Sequence, residues 1–200
     1  MIKKTLLIIV IVVMLPSSSA MAGISVFGGQ GYGAFRLSGA DSVSLSSMMI
    51  AGIKFSEYFD FRYMSMDTSL RMPVLPFRIV DIKYDRTGDT YTAYDSDMFG
   101  LSFNIPFTSY FKLGLLYGLG KSKVTSMTKQ SSGDYSAIIH KGFMQALNFE
   151  LVWSMPLDML LISPKIGVVT HFLDDKSGYN NAASYYLAVS LTYIFEKENQ

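Results

Sequence analysis

From Gly23 onward, large apolar residues fall at every second position, the period of a strand with two unlike faces. Near the end, Tyr185, Leu187, Val189, Leu191, Tyr193 and Phe195 share one parity; Tyr186, Ala188, Ser190, Thr192 and Ile194, smaller and more polar on average, share the other. The same contrast sets Phe143, Leu147, Phe149, Leu151 and Trp153 against Ala146, Asn148, Glu150 and Ser154. It recurs with Phe99, Leu101, Phe103 and Ile105, and with Phe111, Leu113, Leu115, Tyr117 and Leu119. No segment sustains helical spacing. The pattern predicts about eight strands, near 24–37, 44–55, 59–68, 95–107, 111–123, 142–154, 159–172 and 184–195. Each is long enough for the ~9–11 residues a tilted membrane strand needs.

The predicted connections alternate in length. Short links fall at 56–58, 108–110 and 155–158; longer ones fall near 38–43, 69–94, 124–141 and 173–183. Short turns at one end and long loops at the other suit an antiparallel up-and-down barrel crossing a bilayer. Aromatic residues gather at both strand ends. Phe55, Phe59, Phe61, Phe107, Phe111, Trp153, Tyr193 and Phe195 sit by the short turns; Phe35, Phe99, Tyr117, Phe143, Phe172 and Tyr185 sit by the long loops. Two such belts match interfacial girdles, whereas a soluble barrel would gather its rings mid-strand. The ring-rich parity therefore faces lipid. The fold class expected is all-β, a closed transmembrane barrel over 23–195.

Lys3 and Lys4, the aliphatic run Thr5–Leu15, and Ala20-Met21-Ala22 read as a signal peptide over 1–22 that is cleaved before Gly23. Its apolar core is shorter than the ~17–25 residues of a spanning helix. Cysteine is absent, which excludes disulfides, thiolate chemistry and a lipid-modified cysteine anchor. A net charge of +1 gives no bulk attraction for nucleic acid. No His/Asp/Glu spacing suits a metal, so neither metal nor cofactor is expected.

The terminal strand, alternate hydrophobics closing on Tyr193 and Phe195, resembles the insertion signal of outer-membrane proteins, which implies the barrel-insertion machinery as a partner. Together with the opening Phe27-Gly28-Gly29-Gln30-Gly31-Tyr32-Gly33, the stretch Gly23–Phe195 resembles the OmpA/OmpX-type family of small outer-membrane barrels. A charged tail, residues 196–200, follows where the family's signal usually ends the chain. The resemblance implies an outer-membrane location in a Gram-negative envelope and contact with its lipids.

Lipid-facing rings put Lys54, Asp60, Arg62, Lys112, Glu150 and Lys165 in the lumen, with Gln30, Asn104 and Asn148. Lysine or arginine on the lipid face would cost ~2–4 kcal/mol at mid-membrane. Hairpin geometry sets Lys54 against Asp60, and Glu150 opposite Ser163 and diagonal to Lys165. An eight-strand interior holds little beyond its own side chains, so this set reads first as a paired internal plug and second as a narrow ion path. Lys121, Lys123, Lys129 and Lys141 form a basic loop region suited to lipopolysaccharide phosphates, or simply to water. Loop 69–94 is apolar, carries Pro73 and Pro76, and reads as a surface-ligand site or a lid, with Arg86-Thr87-Gly88-Asp89 turning a hairpin between 79–84 and 90–94.

Some barrels of this kind modify lipid A, and the deacylases carry His-x-Ser. Here the contexts are His140-Lys141-Gly142 and His171-Phe172-Leu173, with no local hydroxyl beside a base. No catalytic residue is expected. The leading function is a structural or surface barrel whose loops contact lipopolysaccharide, host or other partners. A narrow channel for ions or small solutes is second, a lipid A-modifying enzyme third, and a soluble periplasmic barrel is the rival to all three.

Overall fold

A strand that faces hydrocarbon must have its backbone polar groups paired within the protein, and only a closed sheet pairs every strand on both sides. The computed structural model describes residues 24–38, 43–68, 71–74, 77–81, 90–157, 160–174 and 178–194, with the backbone alone at 71–74, 77–81, 90, 91 and 135. The regular elements among them are β1 (Ser25–Leu37), β2 (Val43–Lys54), β3 (Phe59–Asp67), β4 (Arg71–Val74), β5 (Phe77–Asp81), β6 (Thr90–Pro106), β7 (Phe111–Lys129), β8 (Tyr135–Trp153), β9 (Met155–Leu157), β10 (Leu160–Leu173) and β11 (Asn181–Ile194). Eight long strands, β1, β2, β3, β6, β7, β8, β10 and β11, pair antiparallel in that order. β11 returns to β1, with Ser25 opposite Ile194, and the barrel closes. The signal peptide over 1–22, Phe195 and the tail 196–200 lie outside the described residues.

The outer wall is apolar. Phe149 and Leu191 are 50% and 51% exposed, while Glu150 and Lys165 beside the same wall are 2% and 7% exposed. That is the reverse of a soluble barrel. Stacked pairs mark the rims and wall: Phe111 on Trp153 at 5.7 Å by the short turns, Phe61 on Phe99 at 6.0 Å further up. Belts of this kind hold a barrel at headgroup depth.

Several expectations need correction. The pattern predicts a loop over 124–141, yet β7 and β8 stay paired up to Lys129 opposite Tyr135, leaving a tight turn around Gly133. β6 likewise starts at Thr90, opposite Thr128, and not at 95. Above a bilayer the outward face has no need of apolar residues, so alternation lapses while β-branched residues keep the strand. The turn expected at Arg86-Thr87-Gly88-Asp89, between 79–84 and 90–94, lies outside the described residues. β4 pairs with β5, with a register irregularity between Met72 and Pro73, where proline offers no N–H.

At the other end the pairing of β8 and β10 continues through β9, so Leu157 opposes Leu160 and the turn falls two residues later than predicted. Glu150 consequently opposes Gly167, not Ser163. Pro156 is tolerated because β9 pairs on one side only. Phe35 points inward, 4% exposed, and so leaves the outer belt. Gln30 and Tyr32 point outward, the Gln30 amide donating to the Tyr32 hydroxyl at 2.8 Å.

Candidate functional site

The lumen is built in two storeys. The one next to the short turns is polar and charged. Arg62 on β3 grips Asp60 on the same strand face through Nε and Nη2, both at 3.1 Å. Its Nη1 reaches Glu150 on β8 at 2.7 Å, and Nη2 also donates to Ser102 Oγ at 3.3 Å. Asn104 donates to Asp60 Oδ2 at 2.9 Å. Glu150 Oε2 accepts from the Tyr186 hydroxyl at 2.9 Å and from Asn148 at 3.4 Å. Lys165 stands 3.7 Å from Glu150 Oε1. The cations of Arg62 and Lys165 lie 5.6 and 5.3 Å from the centre of the Phe27 ring. Among the described residues no buried side-chain polar atom lacks a partner.

Glycine makes the space. The register neighbours of Arg62 on β2 and β6 are Gly52 and Gly100. Those of Glu150 on β7 and β10 are Gly114 and Gly167. A Cβ on Gly114 would come within 2.7 Å of Glu150 Cγ; one on Gly167 would come within 2.7 Å of the Tyr186 hydroxyl. Small residues therefore flank each long charged side chain and let it lie across the lumen.

Of the six residues assigned to the lumen network, Asp60, Arg62, Glu150 and Lys165 meet in this cluster. Lys54 and Lys112 line a cavity of about 40 Å3 beside it, at the mouth nearest the short turns. Lys54 opposes Asp60 in register, as the turn geometry predicts.

The second storey is apolar and methionine-rich: Met48, Met64, Met66, Met98, Leu116 and Met144 are all buried. Phe35 stacks on Tyr94 at 4.8 Å, and the Tyr94 hydroxyl meets His171 Nδ1 at 2.6 Å and Met144 Sδ at 3.4 Å. Sequence reasoning missed this Tyr94–His171 pair, along with Phe27, Ser102 and Tyr186. The signal was present in Tyr186 and Tyr94, aromatics on the lumen parity that need a partner for the hydroxyl.

The four lysines assigned to a basic loop lie on strands. Lys121, Lys123 and Lys129 belong to β7 and Lys141 to β8, where Lys123 opposes Lys141. Lys121, Lys123 and Lys141 line an outward groove of about 630 Å3 with Asp95, Asp97 and Phe143, just above the Phe99–Tyr117–Phe143 belt. Lys123 pairs with Asp95 at 3.3 Å, and the Tyr63 hydroxyl donates to Asp97 at 2.5 Å. Burial, and after it the Asp67 carboxyl alongside, push Asp95 above the usual aspartate range against the opposing pull of Lys123. Tyr193 faces outward at the short-turn end of β11.

No protein-family description matches the sequence, and no curated protein matches it. Solved structures do match in fold. Neisserial surface protein A superposes with a TM-score of 0.57 at 12% identity, over 86% of this chain and 97% of that one. Ail, the attachment invasion locus protein of Yersinia pestis, gives 0.53 at 12% identity, over 86% of this chain and 100% of that one. The N-terminal β-barrel domain of Pseudomonas aeruginosa OprF gives 0.50 at 9% identity, over 84% and 97%. The chain thus has the fold of the small eight-stranded outer-membrane barrels.

Proposed function

We propose that this chain is a surface protein of a Gram-negative outer membrane, working through what it presents outside and not through its lumen or by catalysis. The observation that carries this reading is the unequal height of the wall. β6, β7 and β8 continue past the aromatic belt as a three-stranded projection, while the storey beneath is filled with methionine and tyrosine. The short turns face the periplasm, and Tyr193 with Phe195 serves the insertion machinery. Lys121, Lys123, Lys129 and Lys141 meet lipopolysaccharide phosphates at the outer interface. The Ail barrel of similar fold has been solved with the heparin analogue sucrose octasulfate, an instance of a polyanion on such a scaffold. The β4–β5 segment supplies a second surface contact.

Because the sequence has no cysteine, single cysteines report topology directly. Ser132→Cys in the β7–β8 turn is expected to react with a membrane-impermeant maleimide on intact cells, and Ser109→Cys only after lysis. The opposite result, or labelling of neither in a membrane fraction, would sink the reading. In planar bilayers the refolded barrel is expected to give no steady conductance, and Glu150→Ala none either, since the apolar storey still blocks the path. Steady current altered by Lys54→Ala or Glu150→Ala would favour the channel instead. Lipid A incubated with the refolded protein should be recovered unchanged.

A further inference from the structure

Among the described residues of the lower storey, cations outnumber carboxylates: Lys54, Arg62, Lys112 and Lys165 stand against Asp60 and Glu150. Both carboxylates are spent: Asp60 on Arg62 and Asn104, Glu150 on Arg62, Lys165, Tyr186 and Asn148. Lys54 on β2 and Lys112 on β7 line the same mouth from across the lumen, two like charges that act on each other, and among the described residues neither makes an ion pair within 4 Å. Asp60 and Glu57 act on Lys54 at longer range, and Glu57 sits in the exposed turn.

Both lysines border the cavity of about 40 Å3, with Ser154, Ser163, Ser190 and Thr192 on one side and the paired cluster of Asp60, Arg62, Glu150 and Lys165 on the other. A cavity needs ~10–15 Å3 measured this way to admit one water, so the space admits about three water-sized groups, the scale of a compact oxyanion. Ser154 and Ser163 share one hydrogen bond at 3.5 Å, which leaves one of the two hydroxyls able to donate elsewhere. Cations, hydroxyl donors and room for an ion meet at the mouth that opens beside the short turns.

We propose that this mouth binds a small inorganic oxyanion of the phosphate or sulfate class, held between Lys54 and Lys112. The anion supplies the missing counter-charge and plugs the lower end of the lumen. This goes beyond the proposed surface role and stands or falls separately from it.

The test is an NMR titration of the folded barrel in a detergent without phosphate, adding inorganic phosphate against a constant chloride background. Saturable shifts are expected at the amides of Ser154, Ser163 and Thr192. The Lys54→Gln/Lys112→Gln double variant should bind at least tenfold more weakly, and Lys54→Arg/Lys112→Arg should retain binding. Gel mobility of unboiled against boiled samples verifies that each variant is folded. Shifts that never saturate, or that survive in the glutamine variant, would overturn the site.

Discussion

Arg62 on β3 and Glu150 on β8, 88 residues apart in sequence, meet at 2.7 Å. Two strands, β6 and β7, separate them along the sheet, so the contact spans the lumen and does not follow the wall. Breaking a buried pair leaves an uncompensated charge in a place with little water, and that penalty exceeds the value of the pair itself. Arg62 serves both carboxylates of the storey, which makes it the member whose loss strands most charge.

Arg62→Met is therefore expected to destabilise the barrel by ~3–5 kcal/mol. Lys165→Met should cost clearly less, because Glu150 keeps Arg62, Tyr186 and Asn148. Urea unfolding in lipid micelles, followed by the single tryptophan, Trp153, gives both values. Equal losses would mean that Arg62 does not organise the cluster.

Much of this arrangement was legible in the chain, for a physical reason. A charge facing lipid is costly, so the parity of Lys54, Asp60, Arg62, Lys112, Glu150 and Lys165 had to be the lumen parity once the rings were assigned outward. The Arg62–Glu150 contact was not legible, because it depends on closure and on the diameter. Ring position assigns Phe35 to the outer girdle only where the lumen is polar; beside Tyr94 and the methionines an inward ring carries no penalty. Gln30 stood among Gly28, Gly29, Gly31 and Gly33, where neither parity bears enough side chains to reveal itself. The projecting parts of β6, β7 and β8 carry no sequence signal because water on the outer face removes the alternation that betrays a strand.

Glycine spacing makes a second expectation. Gly114 lies against Glu150, with a Cβ there meeting Cγ at 2.7 Å and Oε1 at 2.9 Å. Glu150 is pinned by Arg62 and Tyr186 and has nowhere to move. A Cβ on Gly118 would come within 3.1 Å of the Met98 sulfur, on a side chain that repacks readily, and no nearer than 3.3 Å to the Phe99 carbonyl. Gly114→Ala should cost ~1–3 kcal/mol, the range of an overpacked core, and Gly118→Ala distinctly less. The same unfolding measurement ranks them, and a reversed order would show that Glu150 is not held in place.

The outermost part of the wall sets a pH dependence. Asp95 and Asp67 oppose each other in register above the Phe99 belt, with Lys123 3.3 Å from Asp95. Burial and the neighbouring Asp67 raise the Asp95 carboxyl above its usual range. A group whose folded value lies above the unfolded one binds more protons in the native state, so its contribution to stability falls as pH rises. The contribution is complete below the ordinary aspartate value of ~3.9 and is lost as pH climbs through the raised one, when Asp95 ionises beside the Asp67 side chain. Asp95 and Lys123 are 38% and 42% exposed, so solvent keeps the effect modest. In Asp67→Asn the like charge is gone and the proton of Asp95 leaves nearer its normal range. Urea midpoints of variant and wild type, compared from pH 4 to pH 7, should diverge in favour of the variant as pH rises, while the remaining carboxylates cancel in the difference. A gap that stays constant or narrows would show that the two aspartates do not feel each other.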